Sequence, residues 1–118
     1  MAPAYSGQER RRHYRIRYPV MRRPRVQVWG QQFDVIDVSE SGVRFQCPSA
    51  QGVTPGQAVQ AVITFDDAGS SDVEGLIVRI EPKRVAVAFT VGIPYSRIVR
   101  EQLHLLNRSA ARALVRQP

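Results

Sequence analysis

VQVWGQQFDVIDVSESGVRFQC, Val26–Cys47, decides the fold class of this chain. Apolar and polar residues alternate through VQVW, FDVIDV and VRFQC, with Val, Ile and aromatics supplying the apolar positions. A period of two sends successive side chains to opposite faces, so each stretch reads as a strand with one face buried. Gly30-Gln31-Gln32 is a short turn that joins the first two into a hairpin.

The same pattern continues downstream. SAQGVTPGQ (Ser49–Gln57) is a loop by composition, and AVQAVITF (Ala58–Phe65) returns to strand character. DDAGSSD (Asp66–Asp72) makes another turn, with its paired aspartates read as solvated rather than metal-binding. VEGLIVRI (Val73–Ile80) and RVAVAFTV (Arg84–Val91) flank Glu81-Pro82-Lys83, a tight hairpin connection. Six short strands separated by turn signals predict a small barrel or sandwich. From Tyr95 the period changes to that of a helix, with Pro94 at its start. Leu103, Leu106 and Ala110 are expected to seal an open barrel end, and residues 107–118 to form an extension or tail.

Upstream of Val26 the chain differs in charge. Residues 1–25 hold eight arginines against Glu9 alone, a net +7, whereas residues 26–118 hold nine basic and nine acidic residues. The whole excess therefore lies in the N-terminal fifth. Residues 1–8 are expected to be a frayed, disordered terminus, and residues 9–25, which include Pro19 and Pro24, a flexible extended arm outside the core.

At 118 residues the chain fits one domain large enough to bury a core unaided. The single cysteine, Cys47, excludes an internal disulfide, and with two distant histidines it offers no structural zinc site. No apolar run approaches a membrane span and no signal-peptide core is visible, so a soluble, cytoplasmic protein is expected. No nucleophile, base and orienting group occur together, which argues against an enzyme.

Asp37-Val38-Ser39-Glu40-Ser41-Gly42 leaves the second strand. Asp37 and Ser39 are two apart and share a face, and Gly42 suits a position of positive φ. Read alone, this is a turn in which Asp37 and Ser39 hydrogen-bond nearby backbone. Together with the arm it resembles something more specific. Arg11-Arg12-His13-Tyr14-Arg15 is similar to the RxxxR motif of PilZ domains, and Asp37–Gly42 to their [D/N]xSxxG motif. Gly75-Leu76-Ile77-Val78 is similar to the glycine-led apolar strand found later in these domains. The likeness spans roughly residues 9–106.

That resemblance implies a bacterial protein with a six-stranded antiparallel β-barrel and a C-terminal helix, and cyclic di-GMP as the ligand of Arg11, Arg15, Asp37, Ser39 and Gly42. No metal or cofactor is implied. The residue types suit the ligand. Arginine grips phosphates, stacks on bases and reads the guanine O6/N7 edge. A carboxylate such as Asp37 accepts guanine N1–H and N2–H, and the Ser39 hydroxyl adds a further polar contact. Arg11 and Arg15, if extended, lie up to roughly 13–14 Å apart at Cα and so reach separate parts of one dinucleotide. Arg10 extends the motif to RRxxxR, a pattern that in this family accompanies an intercalated ligand dimer; it is the candidate contact to a second molecule. Ligand is expected to order the arm, and the changed surface to signal to a protein effector. The alternatives are a ligand-free protein-interaction module of the same fold and a small-barrel nucleic-acid binder. The latter is disfavoured because Arg44, Arg79, Lys83 and Arg84 are scattered, without an aromatic platform.

Overall fold

The structure, a computed structural model, describes residues 15–19, 23–48 and 52–116, with side chains to residue 106. Seven strands precede one helix. They are β1 (Ile16–Arg17), β2 (Arg25–Val28), β3 (Gln31–Ser39), β4 (Gly42–Gln46), β5 (Ala58–Thr64), β6 (Ser70–Glu81) and β7 (Arg84–Val91). The helix α1 runs Tyr95–Arg116. All pairings are antiparallel, and β3-β2-β5-β6-β7-β4 close on themselves through a β3–β4 ladder. This is the expected six-stranded barrel with its C-terminal helix.

The strand outside that ring, β1, comes from the basic arm. It pairs with the second half of β3, on the edge whose first half is taken by β2. Residues 15–18 alternate exposed and buried, and Ile16 and Tyr18 belong to the core. The expectation of an arm lying wholly outside the core therefore fails at these positions. Arg15-Ile16-Arg17-Tyr18 is itself a short period-two pattern, overlooked beneath its charge.

Inward-facing Val26, Val35, Val38, Phe45, Ile63, Ile77 and Val85 form the barrel interior. Fully burying each such side chain contributes about 1.5–3 kcal/mol. The β2–β3 hairpin turns on Trp29 and Gly30, both with positive φ, one residue earlier than the sequence reading placed it. That geometry matches the twist of the flanking strands and leaves the Trp29 ring against Phe33 and Phe45, with centroids 6.3 and 6.1 Å away. The β6–β7 hairpin turns on Pro82-Lys83 as expected, with Lys83 at φ 64°.

The helix seals the barrel with a different face from the one expected. Ile98 and Leu105 pack on the core, beside Ile93 just ahead of the helix, and Glu101 is buried, whereas Leu103 and Leu106 are 54% and 65% exposed. Glu101 survives burial because it is paired. Tyr18 Oη donates to its Oε1 at 2.7 Å, and Arg97 Nη2 to its Oε2 at 3.2 Å. Arg97 also donates to both oxygens of Asp67 (3.1 and 2.5 Å) and lies 4.2 Å over the Phe65 ring. His104 Nε2 is 3.1 Å from Asp66 Oδ2. The two aspartates read as a solvated turn thus tether the helix to the β5–β6 loop. Among the described residues no helix is long and apolar enough to cross a membrane.

Candidate functional site

The exit of β3 and its return as β4 build the site. A bulge at Ile36 shifts the β3–β4 register, so that Asp37 faces Arg44, Val38 faces Val43 and Ser39 faces Gly42. Asp37 is only 4% exposed, and a buried carboxylate must be paired. Arg44 Nη2 donates to its Oδ2 at 2.5 Å and Arg44 Nε to the same oxygen at 3.1 Å. Arg15 Nε stands 4.0 Å from Oδ1, an ion pair reaching in from the arm. One carboxylate therefore organises two guanidinium groups from elements distant in sequence.

Ser39 does what the local reading of the turn requires. Its Oγ accepts from Ser41 N–H at 3.2 Å and lies 3.2 Å from Ser41 Oγ. Asp37 does not, since its partners are across the sheet. Gly42 departs from its expected role. It has no positive φ, and a Cβ there would come within 2.6 Å of the Val87 carbonyl oxygen. Its bare backbone lets β4 lie close against β7.

These residues line one cleft of about 290 Å³ on the outer face of β3, β4, β7 and β6. Arg15, Asp37, Ser39, Ser41, Gly42 and Arg44 form its polar wall. Val78, Ala86 and Ala88 supply an apolar floor, beside Arg79. Four of the six residues expected at the site, Arg15, Asp37, Ser39 and Gly42, are brought together here. Arg10 and Arg11 lie outside the described residues. Arg44 and Arg79, counted as scattered charges by the sequence reading, are instead part of the cleft. Gly42-x-Arg44 on a strand carried the missed signal, because a spacing of two returns Arg44 to the face that Gly42 opens.

With Arg15, Arg44 and Arg79 around Asp37, and Glu81 pairing with Arg79 at 3.5 Å from outside, the cleft is a cationic recess over an apolar surface. It suits an anionic ligand with planar groups: guanidinium groups pair with phosphate, and small side chains leave room for a ring to lie on the sheet. Among the described residues no group of three or more His, Cys, Asp or Glu could hold a metal.

Comparison with known proteins agrees with this geometry. The family model described as PilZ domain matches residues 9–106. The PilZ domain with c-di-GMP of YcgR from Escherichia coli is 18% identical, with a TM-score of 0.66 over 92% of this chain and 99% of that one. YcgR in complex with c-di-GMP, also from Escherichia coli, is 20% identical, with a TM-score of 0.59 over 89% of this chain and 49% of that one. The Bacillus subtilis inhibitor of motility (MotI/DgrA) is 15% identical, with a TM-score of 0.59 over 92% of this chain and 53% of that one. This chain therefore spans about half the length of the latter two. At these identities the structures establish the fold alone. No curated protein matches.

Proposed function

The chain belongs to the PilZ domain family, and we propose that it is a receptor for cyclic di-GMP, the ligand present in both solved structures of YcgR. One observation carries the reading. Arg15 of the first motif and Asp37, Ser39 and Gly42 of the second line the same cleft, although more than twenty residues separate them in sequence.

In this reading Arg15 and Arg44 neutralise phosphate or grip a guanine edge. Asp37 anchors Arg44 through Oδ2 and offers Oδ1 to a guanine N–H, and Ser39 adds a hydroxyl contact. The apolar floor receives a base. At about 290 Å³ the cleft falls just short of the usual ligand-site range, roughly 300–1,000 Å³. The remaining enclosure is assigned to the arm, with Arg11 as a second grip and Arg10 as the contact that admits a second ligand molecule. Closing the arm costs conformational entropy, which the ligand offsets by neutralising its charge. The ordered arm then presents a new surface to a protein effector.

Calorimetry with cyclic di-GMP tests this on wild type and on Arg11→Ala, Arg15→Ala and Asp37→Ala. Binding at one or two ligands per chain, weakened in each variant, is the expected result. Arg10→Ala should lower the ligand number. A wild type silent at high micromolar ligand overturns the proposal, and an unchanged ligand number in Arg10→Ala overturns the role given to that residue.

A further inference from the structure

The helix α1 carries two apolar faces, and the barrel uses one. Ile98, Glu101 and Leu105 turn toward the core. Val99, Leu103 and Leu106 lie roughly 130° further round at 3.6 residues per turn, and Leu103 and Leu106 are among the most exposed large apolar side chains. Tyr95, 63% exposed, lies at the start of the same face. Isolated exposed apolar residues need no explanation, but a continuous stripe does.

The spacing of the stripe identifies its occupant. Val99, Leu103 and Leu106 are four and three apart, and the sequence continues four and three to Ala110 and Ala113. This alternation is the a/d seam of a coiled coil carried over two heptads, within a helix that runs to Arg116.

The flanking positions decide between an acidic partner and a like one. Residues 95–116 contain five arginines and one acid, which taken alone favours an acidic partner. Three of the five arginines are not beside the seam, however. Arg97 is bound to Asp67 and Glu101, and Arg108 and Arg112 fall at register positions on the opposite side. The flanks hold Gln102, Asn107 and Ser109, with Arg100 the one charge among them up to residue 109. Amides and a hydroxyl donate and accept equally, so they complement themselves. In a parallel pair Gln102 faces the partner's Asn107, with no like charges opposed.

We propose that the chain forms a symmetric dimer through this stripe, a second copy of α1 packing against Val99, Leu103 and Leu106. Two heptads make a short seam, so association is expected at micromolar concentration rather than tighter.

Sedimentation equilibrium on the full chain tests it without ligand. The expected mass is twice the 13.3 kDa of the chain, falling to that of a monomer in Leu103→Glu/Leu106→Glu. Leu76→Glu, at a 43% exposed apolar position on the barrel wall, should leave the dimer intact. Far-UV circular dichroism checks that each variant is folded. Oxidative cross-linking gives a readout that does not depend on the glutamate variants. Leu103→Cys and Leu106→Cys chains, separately and mixed, should yield covalent dimers, like with like if parallel and one with the other if antiparallel. A wild type that stays monomeric to high micromolar concentration overturns the proposal. So does a dimer that survives the double glutamate variant, that is lost equally in Leu76→Glu, or that gives no cross-link from either position.

Discussion

The Tyr18 hydroxyl donates a hydrogen bond to Glu101 at 2.7 Å, joining the arm to the second turn of α1 across 83 positions of sequence. Burial first, and then the hydrogen bond to Glu101, pushes the Tyr18 hydroxyl well above the ordinary phenol range. It therefore remains a proton donor at any physiological pH. Only Ile16 and Arg17 separate this anchor from Arg15, so the cleft and the helix are attached to the same short piece of backbone.

Tyr18→Phe should destabilise the fold by roughly 1.5–3 kcal/mol, the worth of a hydrogen bond to a buried charge. Glu101→Gln, which retains an acceptor, should cost less. Urea unfolding of the three proteins checks the order, and equal midpoints for wild type and Tyr18→Phe would remove the anchor from the account.

Arg44→Ala leaves the Asp37 carboxylate buried with only the more distant Arg15, at 4.0 Å. A stability loss of roughly 1.5–3 kcal/mol is expected, and Asp37→Asn in the same background should recover part of it by removing the unpaired charge. Thermal or urea melts of the single and double variants give the coupling.

Arg15→Ala removes one guanidinium from the cleft while Ile16 and Tyr18 stay in the core. Cyclic di-GMP affinity should fall about 10- to 100-fold, the equivalent of one charge-assisted contact. Stability should change little, since the Arg15 side chain is 62% exposed. Calorimetry and a urea melt separate the two effects.

Asp67 gives the tether of α1 a pH dependence. Hydrogen bonds from Arg97 chiefly, and from Gly69 N–H, lower its pKa from 3.8 to about 2. A carboxylate lowered on folding contributes stability above its unfolded pKa and loses that contribution as pH falls through the folded one. Wild type should therefore exceed Asp67→Asn in urea midpoint at neutral pH, and the gap should close between about pH 4 and pH 2. A gap independent of pH would assign the difference to hydrogen-bond geometry rather than charge.

Gly42→Ala forces a methyl to within 2.6 Å of the Val87 carbonyl oxygen, a backbone atom that cannot rotate away. The expected cost is roughly 1–3 kcal/mol from strand displacement, read by thermal unfolding. Ligand affinity should fall with it, because β4 also carries Arg44.

How legible was this in the sequence? The barrel strands were plain, because Val26–Gln46 and Ala58–Val91 alternate with few interruptions and their turns carry Gly or Pro. The site was half legible. Asp37, Ser39 and Arg15 sit in short local patterns, whereas Arg44 acquires its role only through the register set by the bulge at Ile36. The helix misled for a related reason. Periodicity offers two apolar faces, and Glu101 marks the buried one as polar until its partner Tyr18, on another element, is known. Ile16 and Tyr18 were hidden by the arginines alternating with them.

The two-residue strand β1 has a bearing on how this chain can be cut. Beyond the last β2 pairing, at Asp34, and the Pro24 carbonyl that accepts from Val35 N–H at 2.9 Å, the described residues that cover the edge of β3 are Ile16-Arg17 and Tyr18, whose N–H donates to the Ile36 carbonyl at 3.0 Å. A fragment trimmed to the barrel proper, beginning near Val26, would present that bare backbone as a template for another strand. Proteolysis or recombinant design that removes the arm should thus do more than strip Arg15 from the cleft. It should turn a self-contained barrel into one with an adhesive margin, and the place to begin a shortened version is before Arg15 rather than after Tyr18.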